Sequence, residues 1–432
     1  MAYDITEAKR LVIEAGHRLQ AEGLIVRTWG NISARISDTQ FVVTPSGKAY
    51  EGLTEDDIVV VNIKDCSYEG FNNPSSECGI HADVYAMRPE VNFVIHTHQI
   101  YATAISILGQ DVELTDEEKT FLGDRIPCAA YGMSSSEKLR KQVKKTLKKS
   151  AGCSSMLLRN HGVLCMGSDL ENAFEISSIM EQVCKYKYNK LISGFDKVKV
   201  IEEEMLNEEV KPADDGVELI VDESAARISD ADRVEWAGDE DLNPAGFVDY
   251  GISHIEGENI TLTLGEKEYT YNRGDKKPLG RGLFKRNINK VALIHSKIYE
   301  DRNVSCIYHV TLPNIVDVSR KTAKGFVPYV DDQAQIVGEY VRVIGKIGKK
   351  AHFESASAIV KGLKGNGAVL IAGQGAICVG SNESDVEATA YVLEKGCVAM
   401  KLALCHPEAE SVPKRIAAKE RQFYVDTYSK LI

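Results

Sequence analysis

Two stretches of this 432-residue chain repeat each other at one fixed distance, and that spacing is the strongest limit on what it can fold into. LLRNHGVLCMGS, beginning at Leu157, aligns without a gap to LIAGQGAICVGS, beginning at Leu370. His309 lies 213 residues after His96, and Gln374 lies 213 after His161. The same offset pairs Gly162 with Gly375, Gly167 with Gly380, Glu181 with Glu394 and Cys184 with Cys397. An offset held through strand-like segments and the helix that follows them marks a duplicated structural unit. Upstream the match is looser, since HADVY pairs with HSKIY only when one residue is dropped. A chain this long also exceeds what one hydrophobic core organises. The expected division is a first domain at 1–197, an acidic linker at 198–228 and a second domain at 229–432.

Within the first copy, residues 6–22 carry apolar positions at helical spacing, and Gly23 follows as a helix stop. Strands are expected at 41–44, 58–63, 155–158 and 163–167, and helices at 81–87, 135–149 and from 168 to about 189. The lysine-rich helix at 135–149 reads as a solvated face. Val94-Ile95-His96-Thr97-His98 reads as a strand, which turns both histidines to one side. Such a pair suits a divalent metal, or else one core histidine and one surface histidine. Three polar turns precede it: Gly30-Asn31, Ser46-Gly47 and Ser75-Ser76. Backbone amides and hydroxyls in such turns can cradle a phosphate, although these are also the ordinary residues of turns. His161 stands at a strand end beside a glycine, a place from which a side chain can reach a cleft.

A formal net charge of −11 argues against nucleic acid or an anionic membrane as partner. No apolar run reaches the roughly 18 residues needed to span a bilayer, and the first residues lack a signal-peptide core. The ten cysteines are scattered, several inside apolar runs, and read as thiols of a reducing, cytoplasmic compartment.

The ordered set GNIS, TPSG, PSSE, VIHTH and NHGV resembles the class II aldolase/adducin family, nearest in pattern to the fuculose-phosphate-type aldolases, over roughly residues 5–195. The resemblance implies an α/β fold of three layers, α/β/α, with a mostly antiparallel central sheet, here present as two tandem domains. It implies that His96, His98 and His161 bind Zn2+ or another divalent metal. Three protein ligands leave one position open, as catalytic zinc sites do. It implies Glu77 as acid/base, and Gly30, Asn31, Ser46, Gly47, Ser75 and Ser76 as the phosphate-binding residues. The implied reaction cleaves a ketose 1-phosphate to dihydroxyacetone phosphate and an aldehyde. In it a metal would stabilise the enediolate, a carboxylate would move the proton, and the phosphate would orient the substrate. Glu77 is equally placed as a carboxylate favoured by a helix dipole. The implied partners are a small phosphorylated sugar and further copies of the chain in a homo-oligomer.

One departure concerns the family's tyrosine upstream of the IPCA-like segment, because residues 114–120 hold none. Asp116, Glu117 and Glu118 stand there instead, as an acid or, the favoured reading, as surface charge. Other chemistries of this scaffold remain open: 4-epimerisation of a sugar phosphate, dehydration of a thio-sugar phosphate, or decarboxylation of a phosphorylated keto acid. A non-catalytic adducin-like module is a further alternative, against which all three histidines and Glu77 stand. In the second copy Thr311 and Gln374 replace His98 and His161, and Glu77 falls near Val291. That copy is expected to keep the fold without the metal site. Its expected place is that of a neighbouring subunit covering the cleft, with Tyr424 and Tyr428 either donating a group to it or, the favoured reading, serving as ordinary packing residues.

Overall fold

The computed structural model describes residues 2–25, 29–201, 250–264, 267–275, 286–345 and 352–426. The first half runs α1 (Ile5–Ala21), β1 (Asn31–Arg35), β2 (Gln40–Val43), β3 (Val59–Asn62), α2 (Cys78–Met87), β4 (Phe93–Thr97), α3 (Ile100–Ser106), β5 (Val112–Glu113), α4 (Asp116–Leu122), β6 (Arg125–Ile126), β7 (Cys128–Ala129), α5 (Glu137–Leu147), β8 (Ser155–Leu158), β9 (Gly162–Gly167) and α6 (Leu170–Leu191). The second runs β10 (Tyr250–Glu256), β11 (Asn259–Leu264), β12 (Lys267–Asn272), α7 (Arg286–Asp301), β13 (Cys306–Val310), α8 (Pro313–Lys321), β14 (Gly325–Phe326), α9 (Asp331–Ile336), β15 (Val341–Ile344), α10 (His352–Gly362), β16 (Ala368–Ile371), β17 (Gly375–Gly380), α11 (Glu383–Cys405) and α12 (Lys414–Asp426). Most of the expected linker lies outside the described residues. Its first residues turn onto the second copy, where Ile201 pairs with Thr322.

Each half builds one large sheet. The strand order is β3-β2-β1-β4-β9-β8-β7 in the first and β12-β11-β10-β13-β17-β16-β15-β14 in the second. The orders coincide over seven strands, and β14 is an added edge. All neighbours within these sheets are antiparallel except β7 with β8 and β15 with β16. The duplication extends to helix ends. Asp169 caps α6 by accepting the Asn172 N–H at 2.9 Å, and Asn382, 213 residues on, caps α11 by accepting the Asp385 N–H at 2.9 Å. Glu181 accepts the N–H groups of Tyr101 and Ala102 at 2.8 and 2.9 Å at the start of α3. Glu394 accepts those of Asn314 and Ile315 at 3.1 and 3.0 Å at the start of α8.

Alternation along the strands sorts side chains into layers. Phe93 and Ile95 of β4 pack with α1, α3 and α6, whereas Val94 faces the layer of α2 and α5. The first of these clusters continues through Ile315 of α8 and Leu393 and Met400 of α11 to Cys306 and Leu370 of the second sheet. Helices α7 and α10 cover that sheet's outer face. The two three-layer units therefore share their inner helices, with α11 packed on both α3 and α8. Neither unit buries its inner apolar face without the other. All ten cysteines are unpaired, seven of them buried. No described helix is long and apolar enough to cross a membrane.

Candidate active site

The outer-layer side of β4 carries His96. His98 follows directly after the strand, Glu77 is the N-cap of α2, and His161 sits in the turn between β8 and β9. That turn needs Asn160 at φ 59°, a left-handed conformation that asparagine tolerates. It also needs Gly162, where a Cβ would lie 2.5 Å from the Thr97 carbonyl oxygen. On the other side, a Cβ at Gly30 would lie 2.5 Å from the His96 carbonyl oxygen.

The histidine side chains converge. His96 Nε2 is 3.2 Å from His98 Nε2 and 3.2 Å from His161 Nε2, with ligand atoms of all three within 4.8 Å of one another. The partners of the outer nitrogens assign the ring protons. His96 Nδ1 donates to Val163 O at 2.7 Å. His161 Nδ1 faces Asp331 Oδ2 at 3.1 Å, and His98 Nδ1 faces Asp332 Oδ2 at 3.5 Å, an ion-pair distance longer than a good hydrogen bond. With protons on the outer nitrogens, three inner lone pairs point at one another. Buried and unshared, that arrangement is unfavourable; a divalent cation among them satisfies all three. Nothing else among the described residues forms such a cluster.

Glu77 closes the site. Its Oε2 is 3.2 Å from His96 Nε2 and its Oε1 is 3.3 Å from His161 Nε2. Ser135 N–H donates to Oε1 at 3.1 Å, and Asn31 Nδ2 donates to Oε2 at 3.4 Å. Burial alone would raise the Glu77 carboxyl, but His161 and His96 outweigh it and hold it well below its usual range. Burial likewise opposes charge on His161, yet Glu77 and Asp331 raise it well above the ordinary histidine value. The space between Glu77 and the imidazoles thus favours positive charge, whether a proton on one ring or a cation shared by three. Burial pushes His98 down to about 3 despite Asp332. Burial would raise Asp332, but Lys395 and His98 bring it to about 2.

Behind Glu77 runs a relay. Tyr85 OH and Ser33 Oγ are 2.8 Å apart, Ser33 Oγ is 2.6 Å from His81 Nδ1, and His81 Nε2 is 2.5 Å from Asn31 Oδ1. The second copy keeps its inner members, with Ser253 Oγ 2.6 Å from His295 Nδ1 and 2.8 Å from Tyr299 OH. There Gly251 faces His309 across the strand pair just as Asn31 faces His96. Without the asparagine amide, His295 Nε2 meets His309 Nε2 at 3.0 Å.

A cavity opens beside the cluster. Gly30, Asn31, Ser46, Gly47, Ser75 and Ser76 all line it, together with Glu77, His98 and His161. The Asn31 amide is committed at both ends, to His81 and Glu77. The Ser46 and Ser75 N–H groups are taken by Asn73 O and Thr44 O, each at 3.0 Å. Ser134 and Ser135, which sequence reasoning passed over, also line the cavity and precede α5 as Ser75 and Ser76 precede α2. Two helix N-termini therefore approach the same space. The run Ser134-Ser135-Ser136 was a visible signal of the same kind as the other turns.

Asp116, Glu117 and Glu118 do not line the cavity. Asp116 pairs with Lys119 at 2.9 Å, and Glu118 closes a capping box with Thr115. Phe423 and Gln335, not Tyr424, bring the second copy to the cavity wall, and Tyr428 lies outside the described residues.

The family model described as "Class II Aldolase and Adducin N-terminal domain" matches the chain twice, at residues 10–188 and 269–400. The L-fuculose phosphate aldolase of Methanococcus vannielii is 31% identical over 191 residues, 43% of this chain and 97% of its own. The 5-methylthioribulose-1-phosphate/5-deoxyribulose-1-phosphate aldolase of Escherichia coli is 36% identical over 171 residues, 39% of this chain and 78% of its own. A solved L-fuculose 1-phosphate aldolase, 29% identical, covers 44% of this chain and 87% of its own with a TM-score of 0.40.

Proposed function

Because the chain belongs to the class II aldolase and adducin family and carries the family's domain twice, we propose that it is a divalent-metal-dependent aldolase, with zinc as the ion, that cleaves a ketose 1-phosphate to dihydroxyacetone phosphate and an aldehyde. The observation that carries this reading is the convergence of three imidazoles, two of them beside the Glu77 carboxylate, at the wall of a cavity lined by small polar turns. The names of the relatives support the same class of substrate. We assign catalysis to residues 1–197, with 229–432 as the degenerate copy.

His96, His98 and His161 would hold the ion, and Glu77 is within reach of the same point. A bound divalent cation supplies Lewis-acid stabilisation of the negative charge that develops on the substrate oxygens. Cleavage breaks the C3–C4 bond, takes a proton from the C4 hydroxyl and returns one to C3. Glu77, held low and fixed by Asn31 and Ser135, is the group that carries a proton at C3. Ser46, Ser75 and Ser76, with the N-termini of α2 and α5, take the phosphate and set the reacting bond against Glu77.

Metal analysis of the purified protein, followed by a panel of C1-phosphorylated ketoses assayed for dihydroxyacetone phosphate, tests this. Stoichiometric zinc and release of that product are expected, and both should be lost in His96→Ala. Protein without stoichiometric metal, or full activity in His96→Ala, overturns it.

A further inference from the structure

The second copy has lost the ligands, but it has not left the site. Asp331 and Asp332 begin α9, which stands between β14 and β15 where α4 precedes β7 in the first copy. Each reaches the outer nitrogen of a different histidine: Asp331 Oδ2 is 3.1 Å from His161 Nδ1, and Asp332 Oδ2 is 3.5 Å from His98 Nδ1. Only His96 finds its outer partner, Val163 O, in its own copy.

The two aspartates are themselves held. Tyr131 OH donates to Asp331 Oδ1 at 2.7 Å, and the Asp331 N–H donates to Asn160 O at 2.8 Å. Lys395 of α11 pairs with Asp332 and donates to the His98 carbonyl oxygen at 3.2 Å. Both carboxylates and the lysine are almost wholly buried. Charge follows the same division. Three neutral imidazoles offset none of a dication's charge, and Glu77 offsets half. Asp332 is balanced by Lys395, so Asp331 is the carboxylate that supplies the rest.

We propose that the degenerate copy serves as the outer shell of the metal centre: Asp331 and Asp332 are positioning residues that orient His161 and His98, and Asp331 completes the charge balance for a divalent cation. This rests on the metal-site reading above and adds that metal affinity depends on the half of the chain that binds no metal. Carboxylates behind metal-bound histidines fix the ring tautomer and raise ligand basicity, and their loss weakens metal binding by about 10–100-fold.

The test measures Zn2+ affinity of the full chain by chelator competition, with the d–d spectrum of Co2+ as a second readout, in wild type, Asp331→Ala, Asp331→Asn and Asp332→Ala. Thermal melting of each variant without metal reports folding separately. Asp331→Ala should bind Zn2+ about 10–100-fold more weakly than wild type with a changed Co2+ spectrum. Asp331→Asn, whose carbonyl oxygen can still accept from Nδ1–H, should fall between. Asp332→Ala should weaken binding less, because its contact is longer. Wild-type affinity and spectrum in both alanine variants would overturn the inference while leaving the metal site intact. An equal fall in affinity and melting temperature in Asp331→Ala and Asp331→Asn, with an unchanged Co2+ spectrum, would also overturn it. Wild type that binds neither ion would instead remove the metal-site reading itself.

Discussion

Asn31 accepts a 2.5 Å hydrogen bond from His81 Nε2 and passes its own amide N–H to Glu77, a link the second copy lacks because Gly251 stands at that point of its sheet. His81 is fully buried, and burial, followed by the neighbouring His96, pushes its pKa down to about 3, so the ring is neutral at physiological pH. Asn31→Gly, which imitates the second copy, should leave His81 and Glu77 each without one partner. We expect kcat for aldol cleavage to fall by roughly ten- to a hundredfold through misplacement of Glu77. Stability should fall by about 1–3 kcal/mol, the cost of an unsatisfied buried group. Steady-state kinetics and chemical denaturation check the two effects separately.

Chelation should lower stability as well as activity. Three histidines surround one point beside Glu77, His96 and His161 buried and His98 partly so, and an ion that binds the folded chain and not the unfolded one adds about 3–4 kcal/mol at 100–1,000 times its dissociation constant. Melting temperature should rise with Zn2+ concentration in wild type and stay flat in His98→Ala. A rise of equal size in both would place the stabilising ion elsewhere.

Glu420 of α12 gives a pH dependence with a definite sign. It is buried, accepts from Ser134 Oγ at 2.7 Å and from Gln335 Nε2 at 2.7 Å, and burial followed by the charge of Asp331 raises it from 4.5 to about 7. A carboxyl raised on folding leaves stability complete below the unfolded value and reduces it as pH rises through the folded one. The loss therefore falls between about pH 4.5 and 7, and amounts at most to about 3 kcal/mol at 1.36 kcal/mol per unit. Glu420→Gln, which cannot ionise, should flatten that part of the profile. The difference between wild-type and variant melting curves across pH 4.5–8 measures it.

The matched carboxylates Glu181 and Glu394 each take two backbone N–H groups at a helix start. Alanine at either position should destabilise the chain by about 1–3 kcal/mol. Glu394→Ala should do so without changing Zn2+ affinity, since α8 carries no candidate ligand. A large stability difference between the two variants would show that the copies no longer bear equivalent loads.

The strand pattern, the duplication and the His96–His98 pair were legible because each is a local signal, whereas Glu77 and His161 were joined to that pair only through the family resemblance. Period-two alternation puts His96 and His98 on one side, and small residues before a helix mark a turn wherever they occur. Ser134 and Ser135 gave the same kind of signal but were masked by the lysines of the helix they precede. The acidic run at 116–118 left two readings open, and the favoured one, surface charge, agrees with the capping box of α4 and the Asp116–Lys119 pair.

Sequence alone therefore determined that one unit occurs twice and that its second occurrence cannot bind a metal through the same residues. Only the tertiary structure decided where that second unit stands relative to the histidines. Asp331 lies 170 residues from His161, and neither its neighbours nor its spacing mark it. It reaches the histidine because the two units share one layer of helices, which packs α11 on α3 and brings the start of α9 to the turn that holds Asn160 and His161. Packing between distant segments is a property of buried surface, and it leaves no periodicity for a linear reading to find.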